Sequence, residues 1–452
     1  MPQQQSLALS DDQLEAINRA IEKNMPEYIQ HMLTSLSAAD IAHLLESSPP
    51  RQRSLIWKLV PIEDEGDVLN ELGEEVRQFF TDQMNVAELI SILEDQDIDD
   101  TVDILQNLPQ KITRQVLDSM SQQNRHRVEE VLAYPENTAG GLMNTDTLTV
   151  RGDITVDVAL RYIRLHESLP EPFDQLLIVD RKDHLSGTVS IRRLLTSPTS
   201  SLLSELMEET VHSIPVTMED SQIAQIFERE DLISAPVIDE QGHLLGRITV
   251  DDVVDVIREE AEHSVMSMAG LAEDEDTFAP AWKTSRRRAV WLGVNLCTAF
   301  ISASVIGLFQ ETIDRVVALA VLMPIVASMG GVAGSQTLTL IIRAIALGQI
   351  GKSNISWLLS REFLVGLFNG LLWATVVALA AMYWFDDTVI AVVIALALVI
   401  NLIVAVLAGA MLPIALKALK IDPALAGSVA LTTITDVVGF LSFLGLATLF
   451  YG

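Results

Sequence analysis

One carboxylate, Asp436, lies twelve residues inside the last apolar stretch of the chain, Ala424–Phe450. That depth is roughly 18 Å along a helix. A lone acid so far into an apolar segment is costly and is read first as functional. A structural cap or an ion pair is the plainer alternative. No Lys, Arg or His occurs in this stretch or near the centre of any other, which weighs against it. Ser428, Thr432, Asp436 and Gly439 recur at i, i+4, i+8 and i+11, so a helix places them on one face. Alone, each Ser or Thr would serve helix packing. With Asp436 they form a polar stripe suited to passing a cation. Mg²⁺ keeps most of its waters and needs one or two carboxylates, which two copies of Asp436 about a dimer axis would supply.

A second set of acids, Asp252, Asp255, Glu259 and Glu262, recurs at i, i+3, i+7 and i+10 on one helical face. Like charges at this spacing repel. The face is either solvated or neutralised by cations. The run DQDIDDTVD at 95–103 has Asp100 where a calcium loop needs Gly and Gln106 where it needs Glu, which excludes an EF-hand. The chain shows no nucleophile–His pair, no phosphate loop and no HExxH, and no apolar stretch holds a histidine; we expect no enzyme. Cys297 is the only cysteine and is expected to be buried as a small apolar residue.

The elements that position these acids differ sharply between the two halves. Of 61 acidic residues only seven follow Trp282, against ten of the 30 Lys and Arg. The first part carries a net charge of about −34 and the rest about +3. So acidic a region repels nucleic acid and attracts divalent cations. Five apolar stretches follow: Ala289–Phe309, Val316–Leu347, Phe363–Phe385, Val389–Leu416 and Ala424–Phe450. Each is long enough to cross a bilayer. Pro324, Gly330, Gly331 and Gly334 predict a kink or break in the second, MPIVASMGGVAGSQTLTLIIRAIALG, where Gln336 is a further amide. Arg286–Arg288, Arg343, Lys352, Arg361, Lys417 and Lys420 fall on one side of the spans, which puts the N-terminal part in the cytoplasm and the C-terminus outside. MPQQQSLALSDDQLEAI has no basic leader and no apolar core of a signal peptide.

Residues 10–132 read as short amphipathic helices, and ADIAHLLESSPPRQRSLIWKLVP resembles AELISILEDQDIDDTVDILQNLP, which suggests a superhelix of hairpins. Further on, QLLIVDRKDHLSGTVSIRRLL aligns with SAPVIDEQGHLLGRITVDDVV at an offset of 59. Each is a hairpin followed by a capped helix. The pattern resembles a tandem pair of cystathionine-β-synthase (CBS) domains, a regulatory α/β module. We expect an all-α N domain at 1–132, the CBS pair at 133–258, a linker helix at 259–285 and an all-α membrane domain at 286–452.

PIVASMGGVAGSQTLTLIIRAIALG and DPALAGSVALTTITDVVGFLSFL resemble the MgtE-type magnesium transporters. AGGLM at 139–143 and the domain order match as well. The resemblance implies a homodimer in a bacterial inner membrane, with Mg²⁺ both transported and regulatory. It implies a pore lined by the second and fifth spans: Gly330, Gly331, Val332, Gln336, Ser428 and Thr432, with Asp436 as the pore aspartate and Asp422 at the cytoplasmic mouth. Val332 stands where the family has Asn, and an apolar side chain cannot bond a hydrated ion; Mn²⁺ and Co²⁺ are therefore possible cargoes. The regulatory positions implied are Asp67, Asp99, Asp103, Gly141, Asp231, Asp252, Asp255 and Glu260, beside Glu259 of the acidic face. Ser221, His263 and Ser264 replace family ligands. Gln175 and Leu232 replace the aromatic residues of the family's nucleotide site, although Arg192 is kept, so the CBS pair is not expected to bind ATP. The alternatives are a divalent-cation transporter of other or broader selectivity, or a membrane-anchored cation sensor.

Overall fold

The computed structural model describes residues 25–451 except 94–95, 167–168, 171, 209, 272–274 and 352, together with 17, 19–21 and 23. The first sixteen residues, read above for a leader, and Lys352 lie outside the described residues. The chain forms two compact units, Met1–Ala261 with Asp274–Pro280, and Glu262–Glu273 with Ala281–Gly452.

The first unit begins with short helices between Pro26 and Val131. Sequence punctuation sets their starts. Ser37 and Ser121 accept from the main-chain N–H of Asp40 and Asn124, and Pro26 and Pro50 open their helices where no N–H is needed. Helices this short are not stable alone. Their apolar faces, among them Ile41, Leu44, Ile56, Leu69, Leu89 and Leu105, merge into one core. That core continues into Ile223, Phe227, Val237 and Ile248 of the second CBS repeat.

The two hairpins of the CBS pair repeat to the residue, while the strand that precedes each differs in length. Strand β1 (Thr149–Arg151) runs parallel to β2 (Gln175–Val179), which pairs antiparallel with β3 (Leu185–Ser190). Strands β4 (Ile214–Pro215), β5 (Ser234–Ile238) and β6 (Leu244–Thr249) copy this sheet. Gln175 opposes Ser190 as Ser234 opposes Thr249, and register shifts fall between Ile178 and Val179 and between Val237 and Ile238. Where the two hairpin turns meet, the His184 and His243 rings stack with centroids 4.3 Å apart. A single helix, Val250–Met268, then leaves β6, so the expected boundary at 258/259 falls inside it. Its start is a capping box: Asp252 accepts from the N–H and hydroxyl of Thr249.

Arg53 closes the first unit. It is wholly buried, and its guanidinium bonds the carbonyls of Leu45 and Glu46 and makes a two-point ion pair with Asp276, at 2.5 and 2.7 Å. The Asp276 N–H donates to Glu75.

The second unit contains five helices of membrane-spanning length: Ala281–Gly307, Ala318–Ala346, Ile355–Phe385, Thr388–Ala418 and Pro423–Tyr451. The second runs unbroken through Pro324 and its glycines, against the expected break. A helix in hydrocarbon must satisfy its own main chain, so the helix continues although Pro324, its seventh residue, removes one N–H from the ladder. Cys297 is exposed rather than buried. Among the described residues of the first span only Ser302 is buried, so that helix offers most of its apolar surface outward, as lipid contact requires.

Arg53→Ala should destabilise the first unit by about 3 kcal/mol, because it strands a buried carboxylate. Urea unfolding followed by Trp57 fluorescence measures this. A change below about 0.5 kcal/mol, the range of surface substitutions, would show the pair to be dispensable.

Candidate cation sites

The acids of the first unit converge from separate elements. Asp97, Asp99 and Asp100, at the start of helix Ile98–Gln106, offer carboxylate oxygens within 4.8 Å of one another. Asn144, just after the short helix Ala139–Leu142, donates to Asp99 at 3.2 Å. Burial, then Asp100 and Asp97, push the Asp99 carboxyl up to about 8. Burial, then Asp252 and Asp97, push Asp100 to about 7. Asp252 is held well above the usual carboxylate range by burial, then by Asp99 and Asp251. A second level follows along the same helices. Burial raises Asp103 to about 6 although the nearby Arg77 opposes it. Glu259 is raised by burial, then by Asp255 and Asp103; Glu71 by burial, then by Asp255. Asp67 accepts from Gln96 at 3.0 Å, and its charge bears on both Asp97 and Glu71.

Of the positions named from the sequence, Asp99, Asp103 and Asp252 are half-buried, while Asp67, Asp255 and Glu259 are exposed and act on this group through their charge. Three partners were not anticipated. Asp97 and Asp100 stand in the same acidic run as Asp99, but the family resemblance implied only Asp99 and Asp103 there; Glu71 has no local signal. Glu260 and Asp231 are exposed. Asp231 ends helix Asp220–Glu230 in the left-handed conformation, with φ at 50°. Gly141 is buried with its Cα against the carbonyls of Glu136 and Pro135, where a Cβ would collide, so its glycine has a steric reason. Oxygen-only, acid-rich donors of this kind suit a hard divalent cation, which would relieve the mutual repulsion that, after burial, raises these carboxyls.

In the second unit Asp436 is half-buried and has no hydrogen-bond or ion-pair partner among the described residues. Thr432 is exposed and Ser428 half-buried on the same face. Gly439, expected on this stripe, is instead buried, as is Gly330 of the second span, and both pack against Asn401 of the fourth. Gly330 therefore faces the fourth span. Gly331 is half-buried, and Val332 and Gln336 are exposed. Asp422 caps the fifth span, accepting from the N–H groups of Ala424 and Leu425, and lies 3.2 Å from Nε2 of His263. Glu362, inside the third span, is 3 % exposed and bonds Arg361 and Thr337. Neither Asn401 nor Glu362 stood out in the sequence, being single polar residues without periodicity.

An acidic helical domain and a pair of CBS domains joined to five apolar helices of membrane-spanning length define the class: a multidomain membrane transporter, not an enzyme. Family models assign residues 323–446 to a divalent cation transporter domain, 36–137 to an MgtE intracellular N domain, and 139–199 and 203–259 to CBS domains. The chain belongs to the MgtE family of magnesium transporters. It is 28% identical to the magnesium transporter MgtE of Bacillus subtilis over 93% of each chain. It is likewise 28% identical to that of Thermus thermophilus, over 96% of this chain and 97% of the relative. A solved structure, the cytosolic domain of the Mg²⁺ channel MgtE in complex with ATP, matches with a TM-score of 0.50 at 27% identity. That match covers 54% of this chain and 99% of the other.

The raised carboxyls set a pH dependence. A carboxyl whose folded pKa lies above its unfolded value stabilises the fold below the unfolded value, and this contribution is lost as pH rises through the folded one. For Asp103, Asp100 and Asp99 the loss sets in above the ordinary value of 3.8 and is complete by about 6, about 7 and about 8. The metal-free first unit should therefore weaken across that window, and Mg²⁺ should restore it while displacing protons. Calorimetry in buffers of different ionisation enthalpy should show proton release on Mg²⁺ addition near pH 7 and almost none near pH 9. No release at either pH would mean the carboxyls are already ionised.

Proposed function

We propose that this protein passes Mg²⁺ into the cytoplasm through a pore lined by the second and fifth spans of a homodimer, and that cytoplasmic Mg²⁺ closes it. The observation that carries the reading is the unpaired Asp436 carboxylate on the polar Ser428–Thr432 face. A half-buried acid without a counter-ion is a standing attraction for a cation. Mg²⁺ can be held there through its water shell, which relaxes the demand for closely fitted ligands. The excess of Lys and Arg on one side of the spans supports an N-terminus in the cytoplasm of a bacterial inner membrane and a C-terminus outside. On that orientation Asp422 is at the cytoplasmic mouth.

The first unit supplies the sensor. Asp97, Asp99 and Asp100 open helix Ile98–Gln106 and Asp252 opens helix Val250–Met268, and a divalent ion favours the state in which the two helix starts converge. Helix Val250–Met268 carries Asp252 near its start and His263, beside Asp422, near its end. Closure by bound Mg²⁺ gives negative feedback. We assign no ATP site to the CBS pair. Gln175 is committed to Ser234, with two bonds of 3.0 Å, and Leu232 is aliphatic, so neither can stack an adenine ring. The exposed Val332 favours broader selectivity that admits Mn²⁺ or Co²⁺.

Two experiments test the reading in proteoliposomes. Asp436→Ala should abolish divalent flux while leaving the protein folded; flux at the wild-type rate would remove Asp436 from the pore. Deleting residues 1–132 should leave flux resistant to Mg²⁺ in the millimolar range on the cytoplasmic side, the range expected of open carboxylate sites. If the truncated protein is inhibited as strongly as the full chain, the helical domain is not part of the sensor.

A further inference from the structure

Asn401 is a polar residue that the charge pattern and the polar stripe leave unexplained. It lies near the middle of the fourth span and is completely buried. Its Nδ2 donates to the main-chain carbonyl of Val326 in the second span, at 2.8 Å. Its Oδ1 is equally buried and has no partner. Two glycines make room for the amide. A Cβ at Gly330 of the second span would collide with Nδ2, and one at Gly439 of the fifth would stand 2.9 Å from it. One side chain thus touches both helices to which the pore is assigned.

An amide with its oxygen unpaired at a dry helix crossing is less stable than an apolar residue of the same size. Packing therefore does not account for Asn401. What the amide adds is a directional bond to one carbonyl, which fixes how far the second span slides and turns. Gly330 and Val332 lie about 200° apart around the helix. Pinning the Gly330 side therefore sets where the exposed face of Val332 and Gln336 points. On the fifth span the Gly439 contact is one turn from Asp436.

We propose that Asn401 is a positioning residue for ion selectivity. It holds the second and fifth spans in register, so that the Val332 face and the Asp436 carboxylate meet the ion together. This rests on the reading of those two spans as pore-lining.

The test compares Asn401→Leu and Gly330→Ala, which break the same bond from opposite helices. Asp436→Ala is the control for the pore itself. Mg²⁺ and Co²⁺ fluxes are measured in proteoliposomes, and melting temperature in detergent. Asn401→Leu should melt no lower than the wild type. In both variants the Mg²⁺ to Co²⁺ flux ratio should change by about tenfold, the scale at which supporting partners tune metal sites. A purely structural joint would lower the melting temperature and scale both fluxes equally. The proposal is overturned if the ratio stays at the wild-type value in every variant that folds, or if neither variant folds. Loss of both fluxes in Asp436→Ala, with wild-type ratios in the other two, would overturn it while leaving the pore assignment standing.

Discussion

Carboxylates held within a few ångströms of each other in a partly dry crevice cannot all be ionised at once. A proton or a cation must cancel the excess, and the first unit is organised around that requirement. Asp99 and Asp100 come from the helical domain and Asp252 from the start of the helix that follows β6. Arg77 bears on Asp100, Asp103 and Glu259, Arg258 on Glu259 and Glu71, and Arg247 on Asp97, and these guanidinium groups are outnumbered by the carboxylates around them. The charge state of this unit is therefore set by the protons and cations available to it. That property suits a sensor and would be a defect in a scaffold.

The membrane unit works under the opposite constraint, a shortage of water and charge. Its buried polar groups mostly settle locally. Thr435 bonds the carbonyl of Thr432, and Glu362 is held by Arg361 and Thr337. Asp436 and the oxygen of Asn401 are left unsatisfied. Unpaired polar atoms in hydrocarbon are expensive enough that the fold would not carry them without a use. Asn401 of the fourth span packs against Gly439, one helical turn along the fifth span from Asp436.

Periodic features were legible in the sequence, and solitary ones were not. The CBS offset of 59 anticipated both sheets, and the irregularities between Ile178 and Val179 and between Val237 and Ile238 recur at the same interval. Five spans followed from hydropathy alone. Asp436 stood out because nothing near it carried charge. Asn401 did not, because one amide in an apolar run has no spacing to read. The pairing of Arg53 with Asp276 links positions 223 residues apart, and no local pattern encodes it. Gly439 shares a helical face with Asp436 by arithmetic, yet packing of the fourth span turns it inward.

That separation along the chain has a consequence for biosynthesis. Ribosomes add about 5–20 residues per second, so the partner of Arg53 is made on the order of ten seconds or more after it. Through that interval the helical domain lacks the anion for a guanidinium that the finished fold buries completely. Asp276 lies five residues before Ala281, where the first span starts. The acidic unit can thus lock only as the first membrane helix begins to be synthesised. The chain completes its charge-sensing part and starts its insertion at nearly the same moment.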